Sequence, residues 1–233
     1  MRRAAAVCGG AAAAWCWPAP LPLTPHLAER LGIPCRLAEP RGVALTFDDG
    51  PHPQGTPATL DALSTAGATA TFYLVGEQVA RWPGIAAEIA AAGHEIGLHG
   101  YRHRLLLRRG VRALESDLDR AVEVIVAATG REPASYRPPY GVFSSGALGL
   151  VRRRGWKPLL WSHWGADWRA SATPDTIARR ATRDLAAGDV VLLHDADHYS
   201  APDSWRRTVG ALPAIIAAVA AIGEPFVPVT DST

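Results

Sequence analysis

From Val43 onward, short apolar runs alternate with helical segments, and this alternation confines the chain to βα units with a largely parallel sheet. Segments 43–47, 70–75, 94–98, 134–136, 156–161, 189–193 and 225–229 read as strands. Between them, Thr56 offers an N-cap with Pro57 at the first helical position, and Gly67 stops that helix. Further helices are predicted over 83–92, 112–129, 145–154, from Pro174 to before Gly188, and over 205–222. The sequence contains neither an internal repeat nor a second core. It divides into an N-terminal apolar segment and linker, 1–40, and one α/β domain, 41–233.

With 233 residues, 48% of them hydrophobic, the chain can build a sizeable core. A net charge of +2 argues against a nucleic-acid partner. Lys157 is the only lysine, and arginines cluster at Arg104, Arg108, Arg109 and Arg112 and again at Arg152–Arg154. Solvated helix faces are the ordinary reading of such clusters, and contact with an anionic polymer is the other. Cys8, Cys16 and Cys35 have no C-x-x-C spacing and support neither a disulfide framework nor a zinc ribbon. Arg2-Arg3, the weakly apolar run 4–17 and Pro18-Ala19-Pro20 resemble a secretory signal, and the run is short for a membrane span. A secreted or envelope-associated protein is expected, with membrane or cell-wall association and a monomeric state; a cytoplasmic protein with an amphipathic N-terminal extension is the alternative.

The chemistry-bearing residues sit at one end of the predicted strands. Asp48, Asp49, His99, Arg137, Asp167 and His194 all lie at or just beyond a strand's C-terminal end. In a βα barrel those ends form the active-site face. Asp48-Asp49 closes an apolar strand, a costly place for two carboxylates without cationic partners. One of the pair suits a metal and the other a proton. His99 and His103, at i and i+4, would face one ion if helical, about 5–6 Å apart. With 8 histidines, chance yields such a pair in roughly a quarter of chains of this composition, and His194 with His198 repeats the spacing.

Arg137-Pro138-Pro139-Tyr140-Gly141 is a stiff loop whose Arg137 can brace a carboxylate bidentately and whose N–H groups can face an oxyanion. Among the clustered tryptophans, Trp168 is assigned to a groove and Trp161 to the core. Asp167 suits the orientation of a histidine, and His194, after a buried strand, suits a general acid. His163 is expected to pack, and His26, His52 and His94 to be incidental. Together the residues point to a metal-dependent hydrolase.

Five short motifs in order carry a resemblance: Thr46-Phe47-Asp48-Asp49-Gly50, His99-x-x-x-His103, Arg137-Pro138-Pro139-Tyr140, Asp167-Trp168 and Leu192-x-His194. Over about 41–230 the chain resembles the polysaccharide deacetylases of carbohydrate esterase family 4, the NodB homology domain. The resemblance implies a distorted (β/α)7-type barrel and an acetylated glycan as substrate. It also implies a divalent ion, zinc or another such as cobalt, on Asp49, His99 and His103. Asp48 would be the base, held by Arg137, and His194 the acid, tuned by Asp167. Tyr140 would supply an oxyanion N–H, while Leu192 and Trp168 shape the acetyl pocket.

Two positions depart from the family pattern. Gly100 replaces a Ser or Thr whose hydroxyl would reach the second histidine, so weaker metal binding is expected. Trp164 stands where an acidic residue is common and reshapes the groove. These departures motivate a glycan-binding domain with impaired catalysis as an alternative. An O-acetyl esterase or small-amide hydrolase on the same barrel is another.

Overall fold

A computed structural model of the chain describes residues 25–230. The elements run α1 (Pro25–Arg30), β1 (Ala44–Asp48), α2 (Gly55–Ala66), β2 (Thr71–Leu74), α3 (Gly76–Arg81), α4 (Pro83–Ala91) and β3 (Glu95–Leu98). They continue with α5 (Val111–Thr129), β4 (Ser135–Tyr136), α6 (Ser145–Arg153), β5 (Lys157–Pro158), β6 (His163–Trp164), α7 (Pro174–Ala181), β7 (Val190–His194) and α8 (Ser204–Ala221). Short 3₁₀ turns occupy Leu106–Arg108 and Pro139–Gly141.

The sheet order is β5-β4-β3-β2-β1-β7-β6, with every pairing parallel. Strands β5 and β6 stand at opposite edges, so the sheet is an open, distorted (β/α)7-type barrel. β1 lies third from the β6 edge, and all five of its residues are buried. A parallel strand covered on both faces needs such a continuous apolar run. Its register sets Asp48 level with Tyr73 on β2 and His194 on β7, which brings β1 and β7 to the same mouth.

The structure departs from several of these expectations. The run 225–229 forms only an isolated bridge, Val43 to Phe226, because Pro225 and Pro228 interrupt its donors. The seventh strand is instead β6, inside the tryptophan cluster. Strand 156–161 shortens to Lys157–Pro158, and an additional helix, α3, follows β2. Thr56 is not an N-cap. Helix α2 starts at Gly55, and the Thr56 hydroxyl instead donates to buried Asp195.

The segment expected to be a linker packs onto the domain, with Ala28, Ile33 and Cys35 joining the core. Burial pushes the Cys35 thiol up to about 11, which keeps it an unreactive core residue. The signal-like run 4–17, with Cys8 and Cys16, lies outside the described residues. Among the described residues, no helix is long and apolar enough to cross a membrane.

Candidate active site

Neighbouring side chains on a strand point to opposite faces, so Asp48 and Asp49 need a break in the strand to share one pocket. That break is Asp49 itself, at φ 77, with the chain turning at once into Gly50-Pro51. Tyr140 and Ala166 take the same left-handed region at φ 62 and φ 52. Three of the five non-glycine residues with positive φ among those described therefore flank one site. Each costs of order 1–3 kcal/mol, a strain the surrounding packing has to hold.

Asp48 is fixed from below. Arg137 is fully buried, and its Nη1 donates to Asp48 Oδ1 at 2.8 Å and to the Thr46 hydroxyl at 2.7 Å. Nη2 donates to the Leu160 carbonyl, Nε to that of Leu159, and the guanidinium lies 4.1 Å from the Tyr73 ring centroid. The bidentate grip expected from sequence is thus a single contact. The remaining donors reach Thr46 and two main-chain carbonyls, which satisfy a charge otherwise stranded in the core. Asp48 Oδ2 is left facing the pocket, 3.9 Å from His99 Nε2.

Asp49, His99 and His103 converge. Asp49 Oδ1 lies 3.5 Å from His99 Nε2 and 3.4 Å from His103 Nε2, and it is buried without a hydrogen bond. The two histidines are not on a helix. Gly100, at φ 93, turns the chain back, and the Asp117 carboxylate on α5 braces the turn through the Tyr101 N–H at 2.9 Å. A side chain at position 100 would be strained by that backbone conformation. His103 Nδ1 has no partner, which accords with the missing hydroxyl.

His99 Nδ1 sits 2.7 Å from the Arg137 carbonyl. A carbonyl only accepts, so Nδ1 carries the hydrogen and the Nε2 lone pair points at Asp49. Burial, only partly offset by Asp49, pushes the His103 imidazole down to about 4, so it is neutral at physiological pH. Burial works against ionised Asp49 as well, but its three imidazole neighbours, His99, His194 and His103, hold it below the usual carboxylate range.

This donor set fits a divalent cation. Atoms about 2.0–2.1 Å from one tetrahedral ion stand roughly 3.3–3.4 Å apart, close to the spacings found here. A second cluster, His52, Asp197 and His198, fits poorly. His52 Nδ1 accepts the N–H groups of Gln54 and Gly55, so the hydrogen of the neutral ring is on Nε2, pointing at Asp197 3.2 Å away. His52 is therefore a loop clasp rather than an incidental residue.

His194 lines the same pocket, its Nε2 3.9 Å from Asp49 Oδ2. Asp167 accepts from the His194 Nδ1–H at 2.9 Å, from the His194 main-chain N–H at 2.7 Å and from the Thr208 hydroxyl at 2.8 Å. Burial disfavours the imidazolium, but the charge and hydrogen bond of Asp167, with Asp49 and Asp48 behind, push its pKa up to about 10.

These groups line one cavity of about 340 Å³. Leu192, Trp161, Trp164 and Trp168 form one wall, and Tyr140, Gly141, Tyr199 and Ser200 the other. Trp161 touches the core, as expected, but also lines this wall. Trp164 and Tyr140 stand out at the rim, 38% and 60% exposed. No partner accepts the Tyr140 N–H among the described residues. His163 lies apart, bonded to the Arg183 carbonyl.

Sequence reasoning missed Tyr199 and Asp195. Tyr199 stacks on His103 with centroids 4.3 Å apart and is held by Glu77 and Gln78. Asp195 is buried, a β-carbon at Gly50 would meet its carboxylate at 2.7 Å, and burial pushes it up to about 7 against the Thr56 hydrogen bond. Its position beside His194 was the available signal for Asp195, whereas Tyr199 had none.

A half-open parallel barrel with a carboxylate–imidazole cluster at its mouth defines a class of hydrolase-like site, and sequence comparison narrows it. A family profile described as polysaccharide deacetylase matches residues 37–159. The chain is 33% identical to a peptidoglycan-N-acetylglucosamine deacetylase of Bacillus cereus, over 81% of this chain and 86% of that one. It is 30% identical to a chitooligosaccharide deacetylase of Azorhizobium caulinodans, over 85% and 98%. It therefore belongs to the polysaccharide deacetylase family.

Among solved structures, a peptidoglycan N-acetylglucosamine deacetylase superposes with a TM-score of 0.76 at 31% identity, covering 82% of this chain and 87% of that one. A family pseudoenzyme from Bacillus anthracis superposes with a TM-score of 0.74 at 25% identity, over 82% and 64%.

Proposed function

We propose that the protein is a metal-dependent hydrolase that removes N-acetyl groups from a glycan containing N-acetylglucosamine. The observation that carries this reading is the convergence of Asp48 and His194 on the Asp49–His99–His103 cluster, each 3.9 Å from one of its atoms. Asp49, His99 and His103 would hold a divalent cation, zinc by preference for this donor set, which would supply Lewis-acid polarisation and a more acidic water.

The chain's own residues do the rest. Asp48, its Oδ1 fixed by Arg137, takes the proton of the attacking water through Oδ2. The Tyr140 N–H donates to the oxygen that gains negative charge. His194 Nε2 gives its proton to the departing amine, while Asp167 holds the ring and stabilises its charged form. Leu192 and Trp168 close on the acetyl methyl, and the exposed rim aromatics suit sugar rings. The relatives, a peptidoglycan-N-acetylglucosamine deacetylase and a chitooligosaccharide deacetylase, support an amide rather than an ester substrate. Intact base, acid and ligand positions favour an enzyme over a binding-only domain. The signal-like start favours action at the cell envelope.

Acetate release from N-acetylated chitooligosaccharides tests this reading. Release is expected, lost on chelation and restored by zinc or cobalt; a folded, metal-loaded protein that frees no acetate from any N-acetylated glycan refutes it. The same assay reads pH. A raised pKa keeps His194 protonated below it, so activity is lost on the alkaline side. With Asp49 engaged on a cation, less of its charge would support the His194 imidazolium, and that limb would lie lower. Asp167→Asn removes the main supporting charge, so the alkaline limb should move to lower pH.

A further inference from the structure

Beside the acetyl pocket runs a second groove, of about 620 Å³, lined by His103, Arg104, Leu105, Arg108, Arg109 and Tyr140. His103 and Tyr140 line both, so a chain of sugars leaving the pocket on that side passes directly into the groove. Its lining holds three arginines and no acid. Arg109 is engaged with Asp117 at 3.3 Å and with the Ala113 carbonyl. Arg104 and Arg108 are exposed, and no carboxylate among the described residues pairs with either. Arginines in an ordinary solvated patch would be interspersed with acids, as Arg154 is with Glu115 and Asp119. Two unneutralised guanidinium groups at the edge of an active site instead favour an anionic group on whatever enters it.

We propose that this groove is a subsite for a carboxylate carried by the glycan one or more residues from the acetyl group being removed. The preferred substrate is then an acidic N-acetylated glycan rather than a neutral one. The inference rests on the deacetylase reading above. It goes beyond that reading by choosing among polymers the catalytic groups cannot tell apart. Exposed guanidinium–carboxylate pairs are weak singly and screened by salt, so the preference should be several-fold and ionic-strength-dependent.

The test compares three ligands with the full-length protein. They are soluble peptidoglycan fragments with ionised lactyl and stem-peptide carboxylates, the same fragments with those carboxylates amidated, and neutral chitotetraose. Acetate release gives kcat and KM, and calorimetry gives Kd, which reads the groove even for a ligand that is not turned over. The wild type is expected to take the ionised fragments with a KM and Kd about fivefold to tenfold lower than the amidated ones, a gap that closes in high salt.

The double variant Arg104→Gln, Arg108→Gln should lose that gap while its kcat and its kinetics on chitotetraose stay unchanged. Arg104→Lys, Arg108→Lys should retain part of it. Equal Kd values for ionised and amidated fragments in the wild type overturn the subsite, as does a gap that survives the double Gln variant. Absence of acetate release from all three ligands would instead sink the deacetylase reading, and the Kd comparison would still decide the groove.

Discussion

Replacing Asp48 by asparagine is expected to cut acetate release by about 10²–10⁴-fold while the protein still binds its cation. The amide side chain keeps an acceptor for Arg137 Nη1, so the buried brace survives. It loses the carboxylate oxygen that faces His99 and the pocket, and with it the place for a proton. Asp49, His99 and His103 are untouched, so metal content measured on the purified variant should stay at the wild-type stoichiometry. A folded, metal-loaded Asp48→Asn protein with wild-type turnover would remove Asp48 from the mechanism.

Arg137→Leu should be the most damaging single change to stability. It leaves Asp48 buried without its cation and strips donors from Thr46 and the Leu160 carbonyl. Breaking one side of a buried ion pair typically costs about 3–5 kcal/mol, a large share of a domain's margin. Urea unfolding should show a lower midpoint with an unchanged slope. A midpoint equal to wild type would mean that Asp48 is neutralised by some other group.

The positions of the candidate reactive residues were legible because βα patterning fixes which end of each strand they occupy. Asp48 and His194 could be placed at one mouth from the apolar runs before them, and the register of β1 with β7 sets them level. What could not be read was backbone conformation between strands. The i, i+4 spacing of His99 and His103 suggested a helix, but Gly100 at φ 93 makes a turn that brings the rings within 5.4 Å by another route. Arg137 was expected to grip a carboxylate with both arms. Its second arm goes instead to carbonyls that no sequence pattern advertises. Tyr199 was invisible because its role depends on α3, an unforeseen helix supplying Glu77 and Gln78.

The seventh strand illustrates the same limit. The apolar run 225–229 looked like a strand, yet its prolines leave one bridge to Val43. The true edge, His163–Trp164, is two residues long and too short for periodicity to announce. The consequence reaches the site, because β6 carries the chain to Ala166 and Asp167 and so sets the carboxylate under His194.

The central claim is that one cation sits where three separated side chains meet. Anomalous scattering from a zinc-soaked crystal tests it most directly. The account predicts a single strong peak bounded by Asp49, His99 Nε2 and His103 Nε2, with Asp48 and His194 on either side. A peak at His52, Asp197 and His198 with none at the first cluster would contradict it.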